Sequence, residues 1–413
     1  MSYQRIARFN HNRFRKAASI WTAVLLCLLA LSGCNLRNGS NQNPQGEAGG
    51  SKDAPAPICT LSDSALPSVS AESAILIEAS TGSVIGEKNA NEKMSMASTT
   101  KIMTALVAIE NCDAGKTVSV SSRAVGIEGS SVYLYDGEKL TMADLLFAML
   151  LESANDAAAA IAIEVGGSIE GFAEMMNEKA SELELAHTHF TNPHGLDDAE
   201  HFTTASDLAK IAAAAMKNPL FREIVSTYKK TIPLNETEGV RLLINHNKML
   251  KGYDGAIGIK TGYTKKSGRC LVSAAEKDGV ELICVTLNAP NDWNDHKTML
   301  DHGFSLYESR LLCEEGDFRY TLPIIGGSED CISVTNQAAC RVILPRDYPQ
   351  VDCTVEIGAF AYAPINKGDV VGRLVYTANG VTLSEVPLCA AYSVDRIIYR
   401  KSILEKLTSL FYK

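Results

Sequence analysis

ASTTKIM, residues 97–103, places Ser98 three residues before Lys101 at the start of an apolar, helix-like run. Residues three apart lie on one face of a helix, so their side chains meet. A serine hydroxyl is a weak nucleophile unless a base lies within hydrogen-bond reach, and lysine can be that base when burial or a nearby cation lowers its pKa. The stretch therefore predicts a nucleophile, Ser98, and its base, Lys101. Alone it is weak, because serine is a common helix N-cap and residues 226–229 (STYK) fit the same pattern.

Residues 1–34 have the pattern of a targeting segment. A basic start is followed by an apolar run over residues 17–30, which is too short for a comfortable membrane span and is typical of a secretory signal. The run ends in Leu-Ser-Gly-Cys at Cys34, which resembles the lipobox of bacterial lipoproteins, whose cysteine becomes lipid-modified. The alternative is an ordinary secretory signal with a chance cysteine. Both predict a protein that works outside the cytoplasm, and the first anchors it to the outer face of the cell membrane.

Residues 35–58 are rich in Gly, Asn, Pro and Ser with almost no apolar residue, so they predict a flexible linker. The remainder is long enough for two domains, and 46% hydrophobic residues in the whole chain fit packed globular structure. A net charge of −9 argues against a nucleic-acid partner, which needs a basic surface.

Metal ligands are not indicated by the Cys and His spacing. No Cys-x-x-Cys or Cys/His cluster has zinc spacing. Four histidines at positions 187, 189, 194 and 201 fall around a predicted turn without a carboxylate in helical register. The sequence therefore predicts no metal site and no cofactor.

Strand and helix signals place two further motifs. Residues 73–79 and 83–89 alternate around Thr81-Gly82 and predict a β-hairpin. Residues 141–167 predict two helices, because Ser153 and Asn155 interrupt an apolar, Ala-rich run with groups that compete for backbone hydrogen bonds. Residues 256–260 predict a short strand ending at Lys260, followed by strands over 269–275 and 281–288.

Three motifs thus occur in order: Ser98-x-x-Lys101, Ser153-x-Asn155 and Lys260-Thr261-Gly262. This ordered trio is the signature of class A β-lactamases and penicillin-binding proteins. Residues 73–307 also contain SANDAA, NPHGL, HFTTASDLA, NHNKML, GIKTGYT and MLDHGF. With these stretches the region resembles the D-alanyl-D-alanine carboxypeptidases, the low-molecular-weight penicillin-binding proteins of peptidase family S11.

The resemblance implies an α+β fold of the β-lactamase/DD-peptidase type over residues 59–315. An antiparallel sheet is flanked by helices, a mostly helical subdomain completes the domain, and the cleft lies between the two. Ser98 attacks the substrate carbonyl and Lys101 takes its proton. Ser153 relays a proton to the leaving D-alanine.

The remaining motif residues are implied to bind the substrate. Asn155 hydrogen-bonds its peptide backbone, and Lys260 with Thr261 holds its terminal carboxylate. Gly262 lets the strand approach the ligand closely. The backbone N–H groups of Ser98 and Tyr263 form the oxyanion hole.

One feature of the family is missing. The family commonly has an arginine upstream of the LLD-x-GF segment that helps bind the carboxylate, whereas residues 291–296 here read NDWNDH. Either His296 or Lys297 substitutes for it, or carboxylate binding is weaker.

The C-terminal part changes character. Short strand-like runs broken by Gly, Pro, Asn and Asp predict a small all-β domain over residues 316–392, which loosely resembles the C-terminal domain of many of these carboxypeptidases. Residues 393–413 predict an amphipathic helix with an excess of basic residues. Such a helix either lies on a membrane surface, as a second anchor beside lipid on Cys34, or docks against its own domain.

The sequence therefore predicts a serine D-Ala-D-Ala carboxypeptidase. Its partners are the peptidoglycan stem peptide, from which it removes the terminal D-alanine, and β-lactam antibiotics, which acylate Ser98. Two alternatives stay open: a serine β-lactamase, and a non-catalytic penicillin-binding sensor or cell-wall-binding lipoprotein.

Overall fold

The computed structural model describes residues 65–234, 239–348 and 350–398. The predicted signal segment, Cys34 and the linker lie outside the described residues. So does the predicted C-terminal helix beyond residue 398.

A five-stranded antiparallel sheet forms the centre of the larger domain, in the order β2-β1-β9-β8-β7. Its strands are β1 (Ser73–Glu78), β2 (Val84–Lys88), β7 (Ala256–Thr264), β8 (Gly268–Lys277) and β9 (Val280–Leu287). The predicted hairpin is confirmed as β1 and β2, which turn at Gly82 with a φ of 73°. Strand β7 is one of the two edge strands, so alternate backbone N–H groups along it point away from the sheet.

Strand β7 is longer than predicted. Lys260 does not end it, because pairing with β8 continues through Thr264, which lies opposite Gly268. The whole Lys260-Thr261-Gly262 motif therefore sits on regular strand. The turn falls instead at residues 265–267, within Lys266-Ser267-Gly268, which repeats the Lys-[Ser/Thr]-Gly pattern.

Helices cover both faces of this sheet. Ile75 and Ile77 of β1 pack into the large helical core, whereas Ala74 and Leu76 pack with Met299 of the last helix. Because successive strand residues point to opposite faces, β1 is buried along its whole length. The helices are α1 (Lys101–Asn111), α2 (Met142–Leu151), α3 (Asn155–Gly166), α4 (Ile169–Glu182), α5 (Ala205–Met216), α6 (Pro219–Ser226), α7 (Met249–Gly252) and α8 (Asp292–Leu306).

The predicted break between two helices is confirmed at residues 152–154. Ser153 has a φ of 60°, a left-handed conformation that an α-helix cannot contain, so α2 ends and α3 starts anew. Gly167 ends α3 with a φ of 75°, as a C-terminal glycine does. Helix α3 packs against both α2 and α4, and the three form a helical layer. Two small antiparallel pairs border this layer: β3 (Thr117–Ser119) with β4 (Lys139–Thr141), and β5 (Lys229–Leu234) with β6 (Gly239–Ile244).

The C-terminal part is all β, which together with the first domain confirms the predicted α+β class. A six-stranded sheet in the order β14-β16-β17-β12-β11-β15 packs with the pair β10–β13 around its own apolar core. The strands are β10 (Tyr307–Cys313), β11 (Arg319–Ile325), β12 (Cys331–Asn336), β13 (Cys340–Pro345), β14 (Asp352–Ile357), β15 (Ala361–Tyr362), β16 (Val370–Ala378) and β17 (Val381–Ala390).

Strand β10, which lies within the predicted catalytic domain of residues 59–315, pairs with β13 of the C-terminal part. Residues 393–398 are not helical: Val394 bridges to Ile365 and Arg396 to Gly327, which adds this segment to the edge of the β domain. Among the described residues, no helix has the length and apolar character needed to span a membrane.

Candidate active site

The Ser98–Lys101 pair is formed by a tight turn. Residues Ala97–Thr100 form one turn of 3-10 helix that runs directly into α1, and Lys101 Nζ lies 2.9 Å from Ser98 Oγ. Ser98 makes no N-cap hydrogen bond, which removes the alternative interpretation of this serine. Ala97 has a φ of 48°, an uncommon conformation for a residue with a side chain and one that persists only when the surroundings hold it.

Lys101 is fully buried and held at three points. Its Nζ donates to Asn155 Oδ1 at 2.7 Å and to the His194 carbonyl at 2.6 Å, besides its contact with Ser98. Burial lowers the pKa of Lys101 well below that of a free lysine, and the charge of Lys260 lowers it further, although Asp156 opposes the shift. The site therefore favours a neutral amine, the form that can accept the Ser98 proton.

The Ser153-x-Asn155 turn lies on the helical side of the cleft. Asn155 is buried, and its amide joins the lysine on one side to the Glu128 carbonyl on the other. Asn155 therefore positions Lys101 in this structure, and its predicted contact with the substrate backbone stays a prediction. Ser153 is also buried, and its left-handed backbone places it at the point where α2 gives way to α3.

Strand β7 forms the opposite wall. A Cβ on Gly262 would lie 3.0 Å from the Ser98 amide nitrogen and 3.2 Å from the Met96 carbonyl oxygen, so only glycine lets the strand run this close to the nucleophile turn. Lys260 is buried, its Nζ donates to the Thr261 carbonyl at 3.0 Å, and burial lowers its pKa to about 7. Tyr263 is 67% exposed at the mouth of the cleft.

A loop over residues 192–201 supports the nucleophile turn from behind. Gly195, with a φ of 86°, packs so closely that a Cβ there would lie 1.9 Å from the Ala97 carbonyl oxygen. The same carbonyl accepts a hydrogen bond from Thr100 Oγ1 at 2.8 Å. These contacts hold Ala97 in its left-handed conformation.

His201 extends this support. The Thr191 N–H donates to His201 Nδ1 at 3.1 Å, so that nitrogen carries no proton and Nε2–H donates to Thr100 Oγ1 at 2.8 Å. Burial lowers the pKa of His201 to about 4, which keeps the ring neutral. The histidine cluster thus serves hydrogen bonding, and the described part of the chain has no group of three or more His, Cys, Asp or Glu side chains that could hold a metal ion.

Sequence reasoning missed the residues that hold the rim of the cleft. Asp156 accepts hydrogen bonds from Ser131 Oγ at 2.6 Å and from the Leu134 N–H at 3.0 Å, which fixes the loop over residues 128–136 beside Asn155. Arg241 of β6 pairs with buried Glu138 and donates to a carbonyl of the same loop. The position of Asp156 directly after the Ser153-x-Asn155 motif could have indicated its role from the sequence. No feature of the sequence indicates the role of Arg241.

His296, a predicted substitute for the missing arginine, cannot act as one. It is fully buried between Ser273 and Thr286 on the α8 side of the sheet, and burial lowers its pKa to about 3, so it carries no charge. Lys297 lies against α7, where its Nζ is 3.8 Å from the position of a Cβ on Gly252. Asp292 occupies the segment where an arginine was expected, and it pairs with Arg269 of β8 at 2.9 Å.

Comparison with known proteins decides the family. The model of the D-alanyl-D-alanine carboxypeptidase family, peptidase S11, matches residues 60–291. This chain belongs to that family. Family membership makes it a serine-type carboxypeptidase. A second family model, that of the C-terminal domain of penicillin-binding protein 5, matches residues 307–396.

Individual relatives agree over most of the chain. D-alanyl-D-alanine carboxypeptidase DacF of Bacillus subtilis is 35% identical over 78% of this chain and 85% of its own length. DacC of Escherichia coli is 32% identical over 80% of this chain and 85% of its own. The crystal structure of penicillin-binding protein 5 from Haemophilus influenzae superposes with a TM-score of 0.60 at 25% identity, over 80% of this chain and 99% of that one. The family predicted from the motifs is therefore confirmed.

Proposed function

We propose that this protein removes the terminal D-alanine from peptidoglycan stem peptides through an acyl-enzyme on Ser98, and that penicillins acylate the same serine. One observation carries the proposal: Lys101 Nζ, fully buried, lies 2.9 Å from Ser98 Oγ. A buried lysine with a lowered pKa is a base of suitable strength for a serine hydroxyl.

In the acylation step, Ser98 Oγ forms a bond to the carbonyl carbon of the penultimate D-alanine while its proton passes to Lys101 Nζ. The negative charge that develops on the carbonyl oxygen is met by the backbone N–H groups of Ser98 and Tyr263. The closeness of Gly262 to the Ser98 amide supports this pair of donors.

In the second half of the step, the peptide C–N bond breaks and the leaving nitrogen needs a proton. Ser153 passes it on from Lys101, and D-alanine departs. Water then attacks the ester, Lys101 takes a proton from the water, and Ser98 Oγ regains one. The reaction therefore has a covalent intermediate between two product releases.

A D-alanine release assay on the purified full-length protein tests the proposal. We expect D-alanine to be released from diacetyl-L-Lys-D-Ala-D-Ala, and prior incubation with penicillin should block the release. Stable penicillin acylation without release of D-alanine would instead indicate a non-catalytic sensor. Turnover of a chromogenic cephalosporin faster than that of the peptide would indicate a β-lactamase.

The pH dependence should be bell-shaped. Activity rises with pH as Lys101 loses its proton, and this occurs well below pH 10 because burial lowers the pKa of Lys101. Burial lowers the pKa of Lys260 to about 7, so its positive charge, and with it attraction for the substrate carboxylate, is lost as the pH rises through that value. We expect kcat/KM to decline above about pH 7. Lys260→Arg keeps the positive charge, so the pH at which kcat/KM declines should rise by more than about one pH unit. If this decline stays at the same pH in Lys260→Arg, deprotonation of Lys260 does not cause it.

We also propose that lipid on Cys34 anchors the mature protein to the outer face of the membrane and that residues 399–413 add a second contact. The support is the signal-like segment and the Leu-Ser-Gly-Cys sequence. Radiolabelled palmitate should label the wild-type protein in bacterial cells and not Cys34→Ala. Equal labelling of the Cys34→Ala variant would contradict lipidation at this position.

A further inference from the structure

Arg269 pairs with Asp292, and the mechanism above gives its guanidinium no contact with the substrate. Arg269 lies on β8 directly opposite Tyr263 of β7. We propose that Arg269 binds the terminal carboxylate of the peptide substrate, in place of the arginine expected within residues 291–296. This inference rests on the proposed function, because it concerns the substrate of the same site.

The register of the sheet places Arg269 beside the carboxylate-binding motif. Thr261 of β7 lies opposite Leu271, two residues along β8 from Arg269. Residues opposite each other in an antiparallel pair share a face of the sheet, and diagonal neighbours two residues away share it at about 7–8 Å. An arginine side chain spans that separation. Arg269 and Thr261 therefore present a guanidinium and a hydroxyl on one face at the open edge of the sheet.

The guanidinium is held in place by α8. Arg269 Nη2 lies 2.9 Å from Asp292 Oδ1, and the guanidinium carbon lies 5.7 Å from the centre of the Trp293 ring. Asp292 is itself buried, and its Oδ1 also accepts the Trp293 N–H at 2.9 Å. A guanidinium fixed by a carboxylate and an aromatic ring is preorganised for a second anion.

Arg269 keeps donors for that anion. A guanidinium has five N–H donors, and one carboxylate uses at most two of them. The side chain is 43% exposed, and Asp292 is the only carboxylate paired with it in the described part of the chain. Asp292 stands in the segment where the family places an arginine, and the cation is supplied instead by the neighbouring strand.

The test compares a substrate that has the carboxylate with one that lacks it. Using purified full-length protein, kcat/KM is measured for diacetyl-L-Lys-D-Ala-D-Ala and for its C-terminal amide. Arg269→Leu should lower kcat/KM for the acid by about 10- to 150-fold, the range for a hydrogen bond to a charged group. The value for the amide should change by less than about threefold, and Arg269→Lys should recover part of the loss.

Two further variants separate binding from folding. Arg269→Leu leaves the buried Asp292 carboxylate without its partner, so the double variant Arg269→Leu/Asp292→Asn removes that charge as well and should show the same loss on the acid. Arg222, an arginine paired with Glu276 and Glu281 away from the motif, provides the control: Arg222→Leu should keep the wild-type preference for the acid. An equal effect of Arg269→Leu on acid and amide, or no effect on either, would overturn the inference.

A readout without turnover keeps the inference separate from the proposed function. Phenylglyoxal modifies exposed arginines, and the extent at Arg269 is measured by mass spectrometry. The acid peptide should protect Arg269 and the amide should not. A wild-type protein that releases no D-alanine would refute the proposed function. The protection of Arg269 by the acid peptide and not by the amide would still show whether Arg269 binds the carboxylate.

Discussion

Ser98→Ala should abolish labelling by a fluorescent penicillin and lower D-alanine release on the order of 10⁴-fold or more, the size found when a serine nucleophile is removed from a hydrolase. The reason is chemical: without Oγ there is no atom to carry the acyl group. The fold should survive, because Lys101 Nζ is the only hydrogen-bond partner of Ser98 Oγ in the described part of the chain. Gel fluorescence, a D-alanine assay and a thermal melt measure the three quantities.

The chain contains its own control for this experiment. Ser226 begins the second Ser-x-x-Lys sequence, but its Oγ donates to the Glu223 carbonyl at the end of α6, and Lys229 lies on strand β5. Ser226→Ala should therefore label like the wild-type protein. Labelling that persists in Ser98→Ala would show that a residue other than Ser98 is the nucleophile.

Lys101→Met should lower the second-order rate of penicillin acylation by at least about 10³-fold, because it removes the base and leaves the hydroxyl in place. Stability should change little. Burying an amine is costly, so its loss is favourable, but the Asn155 Oδ1 and His194 carbonyl acceptors lose their donor at about 1–3 kcal/mol each. Stopped-flow acylation and denaturant unfolding measure the two effects separately.

Lys266→Met is the matched control for this variant. Lys266 begins Lys266-Ser267-Gly268 in the turn between β7 and β8, and its Nζ donates to the Asp198 carbonyl at the surface. Penicillin should acylate the Lys266→Met variant at the wild-type rate. A Lys101→Met protein that acylates within tenfold of wild type would require another base.

The local signals in the sequence predicted most elements correctly because each depends on neighbouring residues. The β1–β2 hairpin follows from alternation and a glycine turn, and the helix break at Ser153 follows from polar groups that compete for the backbone. The start of α5 is equally local, because the Thr204 side chain accepts the N–H of Asp207, three residues further on. Strand β7 was predicted too short, because its continuation through Thr264 depends on pairing with β8.

In the active site too, local signals were predictable from the sequence and contacts between distant segments were not. Motif order singled out Ser98, Lys101 and Lys260, but not the groups that make them work together. The His194 carbonyl on Lys101, the Gly195 contact behind Ala97, and the hydrogen bond from His201 join the nucleophile turn to a loop about 100 residues away. Spacing along the chain cannot report such contacts, because they arise only when distant segments pack.

By itself the sequence determined the family, the order of the three motifs and the residue types of the reaction, since these depend on covalent neighbours and side-chain chemistry. Only the tertiary structure decided which of two Ser-x-x-Lys sequences brings its hydroxyl to its amine, how deeply Lys101 is buried, and that Asp292 holds Arg269 beside β7. The physical reason is that pKa values and hydrogen-bond geometry depend on the removal of water and on the approach of charges, which the packing of the whole domain sets.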